Sequence, residues 1–359
     1  MAYNKLLKQR LDSTMSKLGS KSKVCLLNGW DIFNAFRDKE IIMMACNVRI
    51  KHVVPGIMKA AQKLDAVIGF ELAKSEGHID GGYTGQTPQI YFDMLIDYAE
   101  KTGFDMPFFI HGDHVTVQNT SAKEINAARA LIEAELKAGY TSYAIDASFN
   151  EHEDNIHITA DLAKIIMDSG WGLEVEVGEI KSVGQTGEIT TVEEGRSFIN
   201  ALFDKGIRPN LLAINNGSKH GNYLEGEEIN IDLKRTGEIY EAIMAKGVRI
   251  AQHGITGTPL HVVGKFAEYG IRKGNVGTQW QNIVHQGLPK ELMDQMKLWA
   301  KSEVKNIKMA TKPFKKEIDS IPVSACDKIA DEAFKEACEL LKAFRAEGSA
   351  SFLNENIGN

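Results

Sequence analysis

Four of the ten histidines sit in three short glycine-containing turns: HGDH (111–114), SKHGN (218–222) and QHGITG (252–257). His114, His220 and His253 each fall at or just past the end of a run that reads as a β-strand. Three imidazoles brought together from separate strands, with a fourth position open, are the donor set of a catalytic zinc ion acting as a Lewis acid. His111 shares the first turn but alternates to another position along its strand. The remaining six histidines fall in helices or loops and read as structural or solvent-facing. Other strand ends carry Asn47, Asp113, Asp146, Glu174, Glu176, Asn215, Asn216 and Asn275. The segments SKHGN, HGITGT and NVGT (275–278) are rich in small residues where loops lead toward helices. Successive backbone N–H groups there form a cradle for phosphate, with Lys219 beside it, so a phosphorylated substrate is expected.

Eight apolar or β-branched runs must position these groups: 42–48, 66–72, 108–114, 142–148, 172–178, 211–217, 249–254 and 270–276. Between most of them lie segments with helical periodicity, including 54–64, 88–103, 122–139, 158–170, 192–206, 233–247 and 259–270. Strands alternating with helices predict parallel pairing through right-handed crossovers, and eight units suffice for a closed (β/α)₈ TIM barrel. An open doubly wound sheet is the rival. Its nucleotide-binding version is weakened because no glycine-rich nucleotide motif follows the first strand. A single domain over 1–359 is expected, with a barrel core of about 42–290, N-terminal helical additions and a helical C-terminal extension over about 291–359. Forty-two basic against 48 acidic residues give a net charge of −6, which offers no bulk attraction for nucleic acid or an anionic membrane. Four scattered cysteines without a C-x-x-C pair, and an N-terminus lacking an apolar signal region, predict a cytoplasmic protein with no membrane partner.

The motifs together resemble the class II, metal-dependent fructose-bisphosphate aldolases. The family's H-x-D-H appears as HGDH, its E-x-E-x-G as EVEVG (174–178), its G-x-x-H-G as GSKHG (217–221), its H-G-x-[ST]-G-x-P as HGITGTP (253–259) and its N-x-x-T as NVGT. The matches run in order from Asn47 to Thr278. The resemblance implies that His114, His220 and His253 bind Zn²⁺, with a monovalent cation as a further candidate cofactor. It implies that Asp113 exchanges a proton with the hydroxyl on the carbon that forms or loses the C–C bond, and that Asn275 holds the enediolate. Glu176 matches a glutamate near an alternative metal position, and Asp146 an aspartate near the site. The phosphate of dihydroxyacetone phosphate is expected on the backbone of Gly221, Gly254, Thr256 and Thr278, near Lys219, with Asn47 among the substrate-binding residues. The family also suggests a homodimer or larger homo-oligomer and a role in glycolysis and gluconeogenesis.

The chemistry agrees with that assignment. Cleaving the C3–C4 bond of a ketose leaves negative charge that a metal can stabilise, so no Schiff-base lysine is required. A carboxylate beside the metal takes the C4 hydroxyl proton, and a second on a mobile loop moves a proton at C3. Glu188, in the long glycine-bearing loop after strand five, is the candidate for that second group. Three departures stand out: extra residues in that loop (GQTGE), Gly277 where the family has aspartate, and Glu71 where it often has serine. An acid at the latter place is expected to repel a phosphorylated aldehyde. Arg49, Lys51, His52 and Arg272 are candidate replacement anion contacts. Fructose 1,6-bisphosphate is the default substrate. The alternatives are a tagatose-type or non-phosphorylated aldehyde, a non-catalytic barrel that binds metal or sugar phosphate, and a metal-dependent hydrolase.

Overall fold

The computed structural model of the protein describes residues 3–182, 185, 187–223 and 229–357. Eight strands, β1 (Met43–Asn47), β2 (Ile68–Ala73), β3 (Phe108–Thr116), β4 (Ser142–Asp146), β5 (Gly172–Val177), β6 (Leu211–Ile214), β7 (Arg249–Gln252) and β8 (Ile271–Val276), pair in sequence order. Every neighbour is parallel, and β1 closes on β8, so the sheet is a barrel rather than an open doubly wound layer. Strands buried on both faces explain the near-continuous apolar runs that mark them in the sequence.

The crossover helices follow local chemistry. Thr87, Ser121 and Thr191 accept hydrogen bonds from the first-turn N–H groups of helices Pro88–Thr102, Ala122–Ala138 and Val192–Asp204. Gly103 and Gly139 end the first two in the left-handed conformation. The segment 259–270, expected as one helix, instead forms a single turn (Leu260–Val263) and a 3₁₀ turn (Phe266–Tyr269). The sequence PLHVVGKFAEYG carries a glycine between its two apolar clusters, and the chain breaks there.

Helix Gly29–Phe36 packs beneath the barrel, its Phe33 ring edge-on to Phe109 at 5.2 Å. The C-terminal extension contains helices Lys290–Ser302, Val323–Ala343 and Ser349–Asn356, and its long middle helix lies along Val54–Leu64, the helix between β1 and β2. No helix among the described residues is long and apolar enough to cross a membrane.

The contact between the extension and the barrel depends on Gly56. A Cβ there would lie 2.0 Å from the Ala330 carbonyl oxygen and 2.8 Å from the Phe334 nitrogen, both backbone atoms that cannot rotate away. Gly56→Ala is expected to push the two helices apart and destabilise the fold by about 1–3 kcal/mol, as overpacking of a close contact does. Urea denaturation measures this, and an unchanged midpoint would show that the extension is loosely docked.

Candidate active site

An open cavity of about 820 Å³ lies at the C-terminal ends of the strands, the end where barrel enzymes carry their chemistry. Asn47, Asp113, His114, Asp146, Glu176, His220, Gly221, His253, Gly254, Thr256, Asn275 and Thr278 all line it. Asp113 and His114 are consecutive, and strict alternation would send them to opposite faces. Instead the β3–β4 register shifts between Gly112 and Val115, and His114 has φ 40°, so a bulge turns both side chains to the mouth. Such a left-handed conformation is costly for a non-glycine residue, and its presence at the cavity marks a constraint imposed by the site.

The three imidazoles meet. Ring nitrogens of His114, His220 and His253 lie within 4.8 Å of one another, and His114 Nε2 is 2.8 Å from His253 Nδ1. Burial, reinforced by the charge of His114, holds His220 down at about 3 and His253 well below the usual histidine range, so both rings are neutral. A neutral His253 donates from Nε2 to Glu174 Oε1 at 2.8 Å, which leaves Nδ1 with a lone pair facing the other rings. His114 behaves oppositely. Burial pushes it down, but Asp113, Glu176 and Asp146 outweigh that and raise it well above the ordinary value. Its Nδ1 lies 3.1 Å from Glu176 Oε2 and 3.3 Å from Asp146 Oδ2. Burial, then repulsion from Asp146, pushes Glu176 up to about 7. A neutral imidazole whose outer nitrogen is held by a carboxylate, as His253 is by Glu174, is the ligand form that zinc sites use. With the neutral His220 and with His114, whose Nδ1 faces carboxylates, the three-histidine group fits a zinc ion. His114, Asp146 and Glu176 form a second group of convergent donors that shares His114 with the first.

Asp113 is held on both oxygens: Asn275 Nδ2 donates to Oδ1 at 2.9 Å and Asn47 Nδ2 to Oδ2 at 2.8 Å. Burial raises its carboxyl, but the charges of His114 and Lys273 more than offset this and keep it below the usual carboxylate range. Asp113 is therefore an anion aimed at the cavity, the form a proton acceptor requires.

Beneath this layer lies a group that sequence reasoning missed. Lys273 has no exposed side-chain surface; its Nζ is 2.9 Å from Glu174 Oε2, 3.0 Å from Glu71 Oε2 and 2.9 Å from Asn275 Oδ1. By accepting from Lys273, the Asn275 carbonyl oxygen is turned inward and its amide N–H₂ is turned to Asp113. Glu174, fixed by the same ammonium, orients His253. Glu71 is fully buried here, below the mouth, so it does not face an aldehyde and the repulsion expected from the sequence does not arise. Burial, with repulsion from Asp113, drives the Glu71 carboxyl well above its ordinary value despite Lys273.

Gly277 also has an explanation. A Cβ at 277 would meet Arg49 Nη2 at 2.9 Å and Asn47 Cβ at 3.2 Å, so the guanidinium occupies the space of a side chain there. Arg49 does line the cavity, ion-paired through Nε with Glu76 Oε1 at 2.7 Å. The other proposed anion contacts are elsewhere. Arg272 points to the opposite end of the barrel and donates to the carbonyls of Arg37, Ala267 and Ile271. Lys51 pairs with Asp319 at 3.2 Å, and His52 bonds the Ile318 carbonyl at 2.8 Å.

The phosphate-cradle glycines are tightly placed. Gly254 has φ 67°, and a Cβ would fall 2.6 Å from the Lys219 carbonyl oxygen, so Lys219 presents its backbone to the cradle while its side chain is not on the cavity wall. Glu188 is exposed and outside the wall; Ser182 and Gln185 of the same loop line it instead. Val183, Gly184 and Thr186 of the expected lid lie outside the described residues.

With this geometry established, comparison with known proteins gives a consistent result. The chain matches the family described as fructose-bisphosphate aldolase class-II over residues 28–344, and it belongs to that family. It is 26% identical over 230 residues to the fructose-bisphosphate aldolase of Streptococcus pyogenes serotype M3, covering 63% of this chain and 69% of that one. A fructose-bisphosphate aldolase of Staphylococcus epidermidis is 30% identical over 234 residues, covering 63% of this chain and 71% of its own. The crystal structure of the YdjI aldolase from Escherichia coli K12 shares the fold, with a TM-score of 0.64, 17% identity and coverage of 90% and 99%. The protein is thus an aldolase-type lyase in a metal-dependent family that acts on sugar phosphates.

The buried cation makes a sharp prediction. Lys273→Met leaves the Glu174 charge without its partner and is expected to cost about 3–5 kcal/mol. Glu71→Gln imitates a protonated Glu71 and is expected to cost under about 1 kcal/mol. Chemical denaturation of both variants decides, and equal losses would contradict the arrangement of charge described above.

Proposed function

We propose that the protein is a zinc-dependent aldolase that reversibly cleaves fructose 1,6-bisphosphate to dihydroxyacetone phosphate and glyceraldehyde 3-phosphate. The observation that carries this reading is the Asp113 carboxylate, kept anionic by the charges of His114 and Lys273 and oriented by Asn47 and Asn275, beside three convergent imidazoles at one cavity. Zinc on His114, His220 and His253 would supply Lewis-acid stabilisation of the negative charge that develops as the C3–C4 bond breaks. Asp113 takes the proton of the C4 hydroxyl, and the two asparagines keep its oxygens oriented toward the cavity. Asn275, locked by Lys273, presents its amide N–H₂ where the enediolate forms. Glu176 and Asp146 orient the Nδ1 side of His114. The backbone around Gly221, Gly254, Thr256 and Thr278 receives the phosphate, with Lys219 contributing main-chain atoms. Glu188 is assigned the C3 proton transfer, a role that needs the loop after β5 to swing over the cavity. Burial of Glu71 removes the charge that counted against a phosphorylated aldehyde. Assembly as a homodimer or larger homo-oligomer accompanies this reading.

Incubation with fructose 1,6-bisphosphate, tagatose 1,6-bisphosphate or fructose 1-phosphate, followed by assay of triose phosphate, tests the substrate. Cleavage of the fructose bisphosphate is expected to be fastest, and no cleavage of it would overturn the reading. EDTA should abolish activity and Zn²⁺ restore it, while borohydride should trap no lysine adduct.

Asp113→Asn removes the proton acceptor but keeps the shape of the site. Turnover is expected to fall by about 10²–10⁴-fold, the usual worth of a positioned general base, with zinc content by elemental analysis unchanged. Retained turnover would show that another group moves the proton.

A further inference from the structure

The cavity wall on the side of β1 and the C-terminal extension carries two cations that belong to none of the family's motifs. Arg49 follows β1 by two residues and is held on three sides. Its Nε bonds Glu76 at 2.7 Å, its Nη1 bonds Gln281 Oε1 at 3.0 Å and reaches Thr278 Oγ1 at 3.5 Å, and Gly277 leaves room for Nη2. Among the described residues Nη2 has no hydrogen-bond partner, and the residue faces the cavity. Lys308 lies in the 3₁₀ turn Ile307–Ala310 of the extension. Its Nζ sits 5.5 Å over the Tyr83 ring, and Tyr83 Oη in turn donates to Glu76 at 3.3 Å. Burial and the nearby Arg49 charge lower the Lys308 ammonium from its ordinary value, as two cations facing one space would. His285 lines the same wall, with Nε2 buried and unpartnered among the described residues.

Glu76 neutralises one of the two cations and fixes the guanidinium in place, so the remaining donors are preorganised and one net positive charge is left. An aldol substrate that is neutral at this wall would leave those donors unpaired once water is displaced. A phosphoryl group, with its negative charge and several acceptor oxygens, would satisfy them.

We propose that Arg49, seated by Gly277, and Lys308 are specificity-determining residues that hold a phosphoryl group of the substrate in this cavity. The inference rests on the aldolase reading and adds to it side-chain charge that the backbone cradle lacks. The phosphoryl group belongs either to the three-carbon donor or to the aldehyde, and the test separates them.

The zinc-loaded full chain is assayed in the condensation direction, with dihydroxyacetone phosphate and either glyceraldehyde 3-phosphate or glyceraldehyde. The variants are Lys308→Met, which keeps the aliphatic stem against Tyr83 and removes only the charge, Arg49→Lys, and Gly277→Ala, which displaces the guanidinium without deleting it. KM for the phosphorylated partner is expected to rise by about tenfold while kcat changes by less than about threefold, the signature of lost binding rather than lost chemistry. A rise in KM for dihydroxyacetone phosphate with both aldehydes places the group on the donor. A rise confined to glyceraldehyde 3-phosphate places it on the aldehyde. Changes in KM below about twofold in all three variants would overturn the proposal. If the unsubstituted protein condenses neither pair, the aldolase reading fails instead. Calorimetric titration with inorganic phosphate then decides: binding weakened by about tenfold in Lys308→Met upholds the phosphoryl site, and equal binding removes it.

Discussion

Lys273 sits at the centre of the barrel with Glu71, Glu174 and Asn275 around its ammonium, and the rest of the site is arranged by what that charge demands. An unpaired ammonium in a dry interior would cost several kcal/mol, so the surrounding oxygens must turn toward it. Once they do, their other ends have fixed directions. Glu174 offers its second oxygen to His253, which settles the tautomer of that ring. Asn275 offers its amide hydrogens to Asp113. One buried charge thereby orients both a metal-type imidazole and the proton acceptor, although it touches neither directly. The arrangement resembles a second layer in which every polar atom is chosen for what it does to its neighbour.

The upper layer solves a different problem, that of bringing two adjacent residues to one place. Asp113 and His114 can face the same cavity only if the strand abandons its alternation. The bulge in β3 does that at the cost of a left-handed φ at His114. The cost is offset by the charges around His114, whose Nδ1 lies between Glu176 and Asp146. Three nearby acids, Asp113, Glu176 and Asp146, favour the positive form of His114. His220 and His253 are then kept neutral by burial and by its charge. The cluster holds its lone pairs ready in two rings while the third carries the proton that an arriving cation would displace.

Much of this was legible in the sequence. The eight strands stand within a few residues of their observed places because parallel barrel strands are apolar on both faces and are separated by amphipathic helices. The polar strand ends showed where the cavity would be, since polar side chains in such runs are expensive unless they are used. What the sequence hid were the partners across the barrel. Lys273 precedes Asn275 by two, and Glu174 precedes Glu176 by two, so each pair shares a face; that spacing was the available signal for an inner polar layer. It does not reveal that Glu71, on a strand next to neither β5 nor β8, shares the same ammonium. Arg272 shows the converse. Its neighbour Lys273 points into the barrel, while its own guanidinium is spent on carbonyls at the opposite end. The broken helix at 259–270 was also local information, a glycine between two apolar clusters that periodicity alone passed over.

The departures from the family pattern make physical sense only as pairs. Glu71 stands where a serine is frequent, and alone it would bury an acid; with Lys273 beside it the charge has a partner, and burial drives the carboxyl toward its neutral form. Gly277 stands where an aspartate is usual, and alone it would remove a charge from the mouth. Here the vacated volume is filled by Arg49, whose own counter-charge, Glu76, comes from the loop after β2 and also accepts from Asn47 at 3.2 Å. Asn47 is the same residue that holds Asp113. The exchange at position 277 is therefore connected, through Arg49 and three hydrogen bonds, to the proton acceptor. A change that looks like a simple loss of an acid has altered the charge of the wall while leaving the geometry of Asp113 supported from both sides.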